Sequence, residues 1–305
     1  MVTKRASGNV VIAVVPIWRV IMYRLCPQMR YWRTLRRISS LPKVAEKDSP
    51  MLSCSFHDKS DAAPMILYLH GLGVAGWSWD PVIGALREYG AVVPDLPGHG
   101  GSCDTQWRSL DDTAARVAEL VDSLPEDRPL HLAGHSLGAY VGLILLTLRQ
   151  ERFASAVLSG FHVTPPPRPN LLKLAYVVNG FVIRVPPLLR RFAAVFGDEA
   201  VQKRFVEGAG AISSRTIRRA GIQVVEFKPP ARLEALSLPL MAIAGEAEPE
   251  AIRFAPDRLS RQLPNVYPRI LHGRDHMWPI KEPQTFADAL RAHVSGQSET
   301  WAPVA

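Results

Sequence analysis

Hydrophobic and polar positions follow two alternating patterns from residue 64 onward. Short apolar runs, each long enough for one strand, stand between longer stretches in which apolar residues recur at helical spacing. The stretch 109–123 is typical of a helix that begins after an N-cap residue, Ser109. Strands that alternate with helices predict a parallel sheet covered by helices on both faces. The predicted strands are "PMILYLHG", "GAVVPD", "PLHLAG" and "FASAVLSG", and the other predicted helices are 77–88 and 136–150.

The alternation stops at about residue 161, where "TPPPRPN" interrupts the chain. Helical spacing then continues without strands until strand patterns resume in "LPLMAIAGE" and "VYPRILHG". An insertion of this length is typical of a functional lid or a small domain. The helices predicted in the insertion are 170–184, 187–197, 199–208 and 213–227, and those predicted after it are 251–263 and 282–294.

These patterns together predict a domain organisation. We expect an α/β core formed by residues 51–160 and 236–296, interrupted by a helical cap of residues 161–235. The two ends are a basic, partly apolar N-terminal extension, 1–50, and a tail, 297–305, which we expect to be frayed. A chain of 305 residues is long enough for one large α/β domain of this kind.

The formal net charge of +8 is concentrated in the N-terminal extension. Residues 1–50 contain ten Lys or Arg and two acidic residues, whereas the other 255 residues contain 26 of each sign. Nucleic-acid binding would depend on the extension alone, without a recognisable binding module, so we expect none. The apolar run within residues 9–25 is too short to span a membrane. Three interpretations remain open for the extension: contact with an anionic membrane surface, packing on the domain, or a translation start assigned too early.

The three cysteines, Cys26, Cys54 and Cys103, have a spacing that fits neither a metal site nor a disulfide framework. Free cysteines favour a reducing compartment, so we predict a cytoplasmic protein, with membrane association depending on the extension. No sequence pattern implies a metal or an organic cofactor, and we expect none.

The stretch "HLAGHSLGAYVG", residues 131–142, places Ser136 between two glycines where a predicted strand meets a predicted helix. G-x-S-x-G in this setting is typical of a nucleophile elbow. In so tight a turn, side chains at 134 and 138 would collide with neighbouring backbone, and the helix N-terminus directs its dipole at the serine. The alternative is an ordinary N-cap serine. The strand before and the helix after favour the nucleophile.

A second motif, "HGLG" at residues 70–73, directly follows an apolar strand. Acyl transfer passes through an oxyanion that needs hydrogen-bond donors. We expect one donor to be the backbone N–H of Leu137, the residue after the serine. The other is expected at Leu72, in the loop that also contains Gly71. The alternative is a simple glycine turn.

Three segments, "HGLGVAGWSWDPVIGAL", "VVPDLPGHGGS" and "LAGHSLGAYVG", resemble the α/β-hydrolase superfamily in their order and spacing. The likeness covers about residues 64–294. The resemblance implies the α/β-hydrolase fold, a helical cap at the position of the insertion, and a serine, an acid and a histidine in that chain order. A serine at the elbow excludes the haloalkane dehalogenase and epoxide hydrolase types, which have aspartate there.

The resemblance implies His276 as the catalytic base, because the family's histidine lies in the loop after the last strand. His272 stands on or beside that strand, and His293 falls inside the last predicted helix. The earlier histidines belong to the structural motifs, where we expect them to form local backbone hydrogen bonds or to line the pocket. They are His70, His99 and His135.

The acid departs from the family's pattern, which has aspartate three residues after a glycine at the end of the strand that follows the cap. In "AIAGEAEPE" that position is Glu248, so glutamate would replace aspartate. Glu246 and Glu250 are close competitors. Asp275 is adjacent to His276, and sequence neighbours rarely have the geometry that orients a histidine.

These residues predict a serine hydrolase that cleaves a carboxylic ester or thioester through an acyl-enzyme. The cap is mostly apolar, which favours a partly apolar small-molecule substrate, with Tyr176, Phe181 and Leu188 as candidates to line the pocket. One alternative is a carbon–carbon bond hydrolase, or a lyase of the menaquinone-pathway type, that uses the same triad. Another alternative is a non-catalytic α/β-hydrolase-like protein that binds a ligand or a partner.

Overall fold

The computed structural model describes residues 52–57 and 63–302. The predictions made for the N-terminal extension, 1–50, including its membrane contact, lie outside these residues. The end of the chain after residue 302 lies outside them as well.

The seven strands within the described residues form one sheet in the order β1-β3-β2-β4-β5-β6-β7. All neighbours in this sheet are parallel except β1 and β3, which are antiparallel. The predicted α/β-hydrolase fold, with a mostly parallel sheet, is therefore confirmed. The strands are β1 (Cys54–His57), β2 (Met65–Leu69), β3 (Gly90–Pro94), β4 (Leu130–His135), β5 (Ser155–Ser159), β6 (Leu240–Gly245) and β7 (Val266–Leu271).

The helices cover both faces of this sheet, as the alternating pattern predicts. The N-cap prediction is also confirmed, because the Ser109 hydroxyl accepts a hydrogen bond from the Asp112 N–H at 2.9 Å. The α-helices are α1 (Asp80–Ala85), α2 (Leu110–Asp122), α3 (Leu137–Arg149), α4 (Pro169–Val182), α5 (Pro186–Ala193), α6 (Glu199–Ala211), α7 (Ser214–Glu226), α8 (Glu250–Arg253), α9 (Ala255–Ser260), α10 (Trp278–Lys281) and α11 (Pro283–Val294). Short 3₁₀ helices occur at Gly76–Trp79, Gly100–Ser102, Gln150–Arg152, Ala194–Phe196 and Ala231–Ala235.

The central strands are buried on both sides, so the core has two layers. Leu67 and Leu69 of β2 pack with α2 and α3 on one face. Ile66 and Tyr68 pack with α1 and α11 on the other face. The alternation of side chains along a strand explains why continuous apolar runs mark these strands in the sequence.

Several sequence-based boundaries are wrong. The predicted helix 77–88 begins as a 3₁₀ helix, and the predicted helix 251–263 is two helices that meet at Phe254. Pro256 lies in the first turn of α9, where its missing N–H favours a helix start over continuation from α8. Strand β1 was not predicted at all, because its four residues are largely exposed and carry no apolar pattern.

The structure of the C-terminal tail also differs from the expectation that it is frayed. Residues 297–302 are attached to the domain and are not frayed. The Arg269 guanidinium donates to the backbone carbonyls of Ser298, Glu299 and Trp301. The Ser298 hydroxyl is hydrogen-bonded to the buried His293 ring at 2.6 Å. The Arg269 bonds join residues about 30 positions apart, so they leave no local signal in the tail sequence.

Helices α4 to α7 lie between β5 and β6, in the stretch for which a cap is predicted. Three side chains of this stretch, Leu189, Phe196 and Phe205, are the centre of a separate apolar cluster. Within the described residues, no single helix is long and apolar enough to cross a membrane. Helix α4 and the following segment Pro186–Phe196 meet the length and composition only as a pair, across a bend of 117°.

Candidate active site

Ser136 stands in the sharp turn between β4 and α3. Its φ of 52° and ψ of −118° lie outside the regions that non-glycine residues ordinarily adopt. Such backbone costs on the order of 1–3 kcal/mol and persists only where the surroundings enforce it. One such restraint is the hydrogen bond from the Ser136 N–H to the Ser159 carbonyl, 2.9 Å long, which ties the turn to β5.

The two glycines of the turn have the steric role that the motif predicts. A Cβ at Gly138 would lie 2.0 Å from the carbonyl oxygen of Leu69, which no side chain can occupy. A Cβ at Gly134 would lie 2.9 Å from the Gly138 carbonyl oxygen and 2.8 Å from the Leu158 side chain. The turn therefore packs directly against β2, and only glycine allows that approach.

His276 lies in the loop after β7 and contacts the serine. Its Nε2 is 2.9 Å from the Ser136 Oγ, and its Nδ1 is 2.5 Å from the Glu248 Oε1. The ring packs beside the His135 ring at a centroid distance of 4.9 Å. Gly160, with φ of 71°, leaves space for both rings, since a Cβ there would lie 2.9 Å from each.

Glu248 lies in the loop after β6 and is almost fully buried. Its second oxygen, Oε2, accepts a hydrogen bond from the Gly245 N–H at 2.9 Å, which holds the carboxylate in place. Both oxygens are thus used, one on the backbone and one on His276. The residues form a continuous hydrogen-bonded chain of carboxylate, imidazole and hydroxyl, with the geometry that nucleophilic catalysis requires.

The competing acids have other contacts. Glu246 is hydrogen-bonded to the Gly273 N–H at 2.9 Å and to the ring of His272, whose side chain is 91% exposed. Glu250 begins α8. Asp275 accepts from the Met277 N–H and pairs with Lys281. Within the described residues, Glu248 is the only carboxylate hydrogen-bonded to His276.

The electrostatics of His276 suit a base held by an anion. Burial of the ring opposes its charged form, but the hydrogen bond and negative charge of Glu248, with a contribution from Asp275, outweigh it. The pKa of His276 is therefore raised above its ordinary value. The Glu248 carboxylate also favours the tautomer with the proton on Nδ1, which leaves Nε2 free to accept the serine proton.

The two backbone N–H groups proposed as oxyanion donors, those of Leu72 and Leu137, form no hydrogen bond with the described residues. Leu137 is the first residue of α3, so its N–H has no partner within the helix. In the part of the chain that the structure describes, neither the Leu137 nor the Leu72 N–H donates to another residue. Gly71 brings this loop close to the serine, since a Cβ there would lie 3.5 Å from the Ser136 Cβ.

Two of the motif histidines, His70 and His99, form local backbone hydrogen bonds, as predicted. His70 donates from Nδ1 to the Gly71 carbonyl and accepts the Leu96 N–H at Nε2, which joins the loops after β2 and β3. His99 Nδ1 is 3.0 Å from the Pro97 carbonyl. Burial lowers the pKa of His70 to about 4, so the ring is neutral and can accept as well as donate.

Two structural roles were missed by the sequence reasoning. Asp95 accepts hydrogen bonds from the Gly76 and Gly101 N–H groups, both at 2.7 Å, and so fixes the loops beside the site. The sequence predicts only a local role for His135, but its Nδ1 is hydrogen-bonded to the Ser159 hydroxyl at 2.9 Å and its ring packs on His276. The only signal in the sequence for the role of Asp95 is its position directly after β3.

A small cavity opens beside the serine turn. It has a volume of about 230 Å³, including the part open to solvent, and its wall is largely apolar. Phe181, a candidate to line the pocket, is instead 66% exposed. The lining residues of the cavity are Gly71, Val74, Ser78, Trp79, His135, Pro279 and Ile280.

Comparison with known proteins identifies similar chains. The sequence profile described as "Alpha/beta hydrolase family" matches residues 66–289. A pimeloyl-[acyl-carrier protein] methyl ester esterase of Methylococcus capsulatus is 28% identical over 233 residues, 74% of this chain and 82% of that protein. An AB hydrolase superfamily protein of Gibberella zeae is 33% identical over 103 residues, but the match spans only 33% of this chain and 36% of that protein.

Solved structures show the same fold. A thermophilic esterase from Thermogutta terrifontis, solved with malate bound, aligns with a TM-score of 0.65 at 18% identity. The alignment covers 81% of this chain and 94% of that one. At this identity the likeness concerns the fold, and the chemistry depends on the residues described above.

Proposed function

The chain belongs to the alpha/beta hydrolase family, and we propose that it is a serine hydrolase that cleaves a carboxylic ester or thioester through an acyl-enzyme. The observation that carries this proposal is the hydrogen-bonded chain from Glu248 through His276 to Ser136, which ends at a serine in an enforced turn. An ordinary N-cap serine would need neither the buried carboxylate nor the unusual backbone.

In the proposed reaction, the Ser136 Oγ attacks the carbonyl carbon while His276 Nε2 takes the hydroxyl proton. The carbonyl oxygen becomes an oxyanion, for which the Leu72 and Leu137 N–H groups are the proposed donors. His276 then gives its proton to the leaving alcohol or thiol as the acyl-enzyme forms. A water molecule attacks the acyl-enzyme in the second half, with the same histidine acting first as base and then as acid.

Glu248 has an indirect part in this reaction. It orients the ring of His276 and stabilises the imidazolium that forms in each half, without itself accepting a proton. The raised pKa of His276 supports this role, because the shift reflects the same interaction between carboxylate and charged ring.

The substrate is proposed from the cavity beside the serine. Its largely apolar wall favours an apolar acyl or alcohol group, and the enclosed part of the cavity is small. We therefore expect short acyl chains to be cleaved faster than long ones. The esterase name of the M. capsulatus relative supports an ester over other carbonyl substrates.

A fluorophosphonate probe and a series of p-nitrophenyl esters test this proposal. Wild-type protein should be labelled and should hydrolyse the short esters, and Ser136→Ala should lose both activities, with turnover reduced by more than about a hundredfold. Ser123→Ala, which changes an exposed serine at the end of α2 that lies outside the hydrogen-bonded chain, is the matched control and should behave as wild type.

Two results would contradict the proposal in different ways. Wild-type protein that reacts with neither probe nor ester would indicate a binding protein with an unactivated serine. Labelling of Ser136 without turnover of any ester would indicate a triad that acts on another bond, as in the carbon–carbon hydrolases and lyases considered above.

A further inference from the structure

Helix α4 has an exposed apolar face. Four large side chains at spacings of three, three and four residues lie along one side of the helix, which the helical period brings together. Their exposed fractions range from 44% to 66%, with Phe181 the most exposed. We call this set the α4 face; it consists of Leu171, Leu174, Val177 and Phe181.

The opposite side of α4 explains why these side chains point outward. Tyr176 packs against Gly221 of α7, where a Cβ would lie 2.1 Å from the tyrosine ring. Gly180 approaches the Ser214 carbonyl so closely that a Cβ would lie 2.9 Å from it. The orientation of α4 is therefore set by close packing on α7, and among residues 52–57 and 63–302 the α4 face remains exposed.

Apolar exposure of this kind is concentrated at α4. Within the described residues, only three other large hydrophobic side chains are exposed, Phe56, Leu148 and Ile270, and they come from separate elements. Single exposed hydrophobics are normal on a protein surface, whereas a contiguous set marks an interaction site.

The charge around the α4 face is basic. Residues 161–197 contain five Lys or Arg and no Asp or Glu, although the chain beyond residue 50 is neutral as a whole. In the described part of the chain, three of the five, Arg168, Arg190 and Arg191, are exposed and form no ion pair with a carboxylate. Arg168 stands at the start of α4, and Arg190 and Arg191 belong to the next helix, α5, so the stretch that carries the α4 face has an uncompensated positive charge.

We propose that the α4 face docks on an anionic lipid surface, with its apolar side chains inserted at the headgroup boundary and its basic residues on the headgroups. Apolar residues on one side of a helix, bordered by cations, are the features that interfacial helices use. With 14 residues, α4 is about 21 Å long, shorter than the roughly 30 Å hydrocarbon layer, so it suits a position along the surface. A second copy of the chain fits less well, because pairing two such stretches would bring like charges together.

The test is co-sedimentation of the full-length protein with phosphatidylcholine vesicles that do or do not contain phosphatidylserine. Wild-type protein should pellet with the anionic vesicles at low salt. It should be released as salt rises, because the Debye length falls to about 3 Å at 1 M. The double variant L174E/F181E should partition at least about tenfold more weakly, since it places two carboxylates in the inserted face.

A matched control separates the face from net charge. F56E/L148E makes the same two types of substitution at exposed positions outside α4 and lowers the net charge equally. It should retain the wild-type partitioning. Circular dichroism shows whether both variants are folded, and it keeps this test independent of the ester-hydrolase proposal.

Three outcomes would overturn the inference. The first is wild-type protein that does not bind anionic vesicles at low salt. The second is an equal loss of binding in the two double variants, which would attribute the effect to net charge alone. The third is a lipid-free wild-type dimer that L174E/F181E converts to a monomer in sedimentation velocity, which would make the α4 face a contact between copies of the chain.

Discussion

Replacing Glu248 by Gln tests the acid of the hydrogen-bonded chain with almost no change in side-chain size. The carboxylate accepts from the Gly245 N–H at 2.9 Å and lies 2.5 Å from His276 Nδ1. Glutamine has one oxygen, so it can satisfy only one of these donors. If the oxygen stays on Gly245, the amide NH₂ faces Nδ1, and the imidazole proton must move to Nε2. That tautomer cannot accept the proton of Ser136.

The other orientation of the glutamine is also unfavourable. If the glutamine oxygen accepts from His276, the glutamine NH₂ faces the buried Gly245 N–H. Both groups are donors without an acceptor, and each costs about 1–3 kcal/mol. We therefore expect the first orientation. In a serine triad, the wrong histidine tautomer lowers turnover by about 10⁴-fold, which corresponds to about 5.5 kcal/mol in activation free energy. We expect Glu248→Gln to lose about 10³–10⁴-fold in kcat, with KM little changed.

The pH dependence of the same variant gives an independent readout. His276 must be neutral to act as base, so activity rises with pH through its pKa. Burial lowers the pKa of His276, and the contributions of Glu248 raise it above the ordinary value. Removal of the negative charge therefore lowers this pKa, and the acid limb of the residual activity should move to lower pH.

The assay is hydrolysis of a soluble p-nitrophenyl ester from pH 5 to pH 9, with Glu246→Gln and Glu250→Gln as controls. Both controls remove the same charge within two residues, but neither carboxylate contacts His276, so both should stay close to wild type. Retention of more than about a tenth of wild-type kcat by folded Glu248→Gln would refute the reasoning. If Glu246→Gln is the most damaging, the acid is misassigned by two positions although a triad remains.

Two further predictions concern stability. Gly138→Ala should lower the free energy of unfolding by about 3 kcal/mol or more in urea titrations, because its Cβ would lie 2.0 Å from the Leu69 carbonyl oxygen. The control is Gly210→Ala, whose Cβ would have nothing within 4 Å and which should be neutral or slightly stabilising. Equal effects of the two substitutions would refute the steric argument. Stability should also fall as pH drops from about 6.5 to 4. Burial lowers the folded-state pKa of six histidines in the described residues, whereas the unfolded chain binds their protons. For the four whose pKa falls to about 3 or 4, the loss is on the order of 2 kcal/mol each at pH 5. A urea midpoint unchanged between pH 7 and pH 5 would contradict this. These four histidines are His70, His131 and His293, with pKa about 4, and His99, with pKa about 3.

The sequence by itself determined the features that depend on local pattern. Apolar runs and helical spacing predicted β2 to β7 and the helices between them, because burial on both sheet faces leaves a continuous apolar signature. The elbow at Gly134, Ser136 and Gly138 was predicted from a local motif, G-x-S-x-G, at the point where a strand pattern meets a helix pattern. The contact that excludes a side chain at Gly138 is with Leu69 of β2, which only the fold brings near. Edge strand β1 has no such signature, because its pairing with β3 is made by backbone groups and most of its side chains are exposed.

Only the tertiary structure separated alternatives that the sequence left equivalent. Glu246, Glu248 and Glu250 have the same chemistry within five positions, and the loop after β6 buries just one of them against a histidine 28 residues away. Phe181 is as apolar as any pocket residue, but the packing of Tyr176 on Gly221 turns its side of α4 outward. In both cases the decisive contact joins residues far apart in the chain. The direction of a side chain at such a contact is set by how whole helices and strands pack, and the local sequence does not determine that packing.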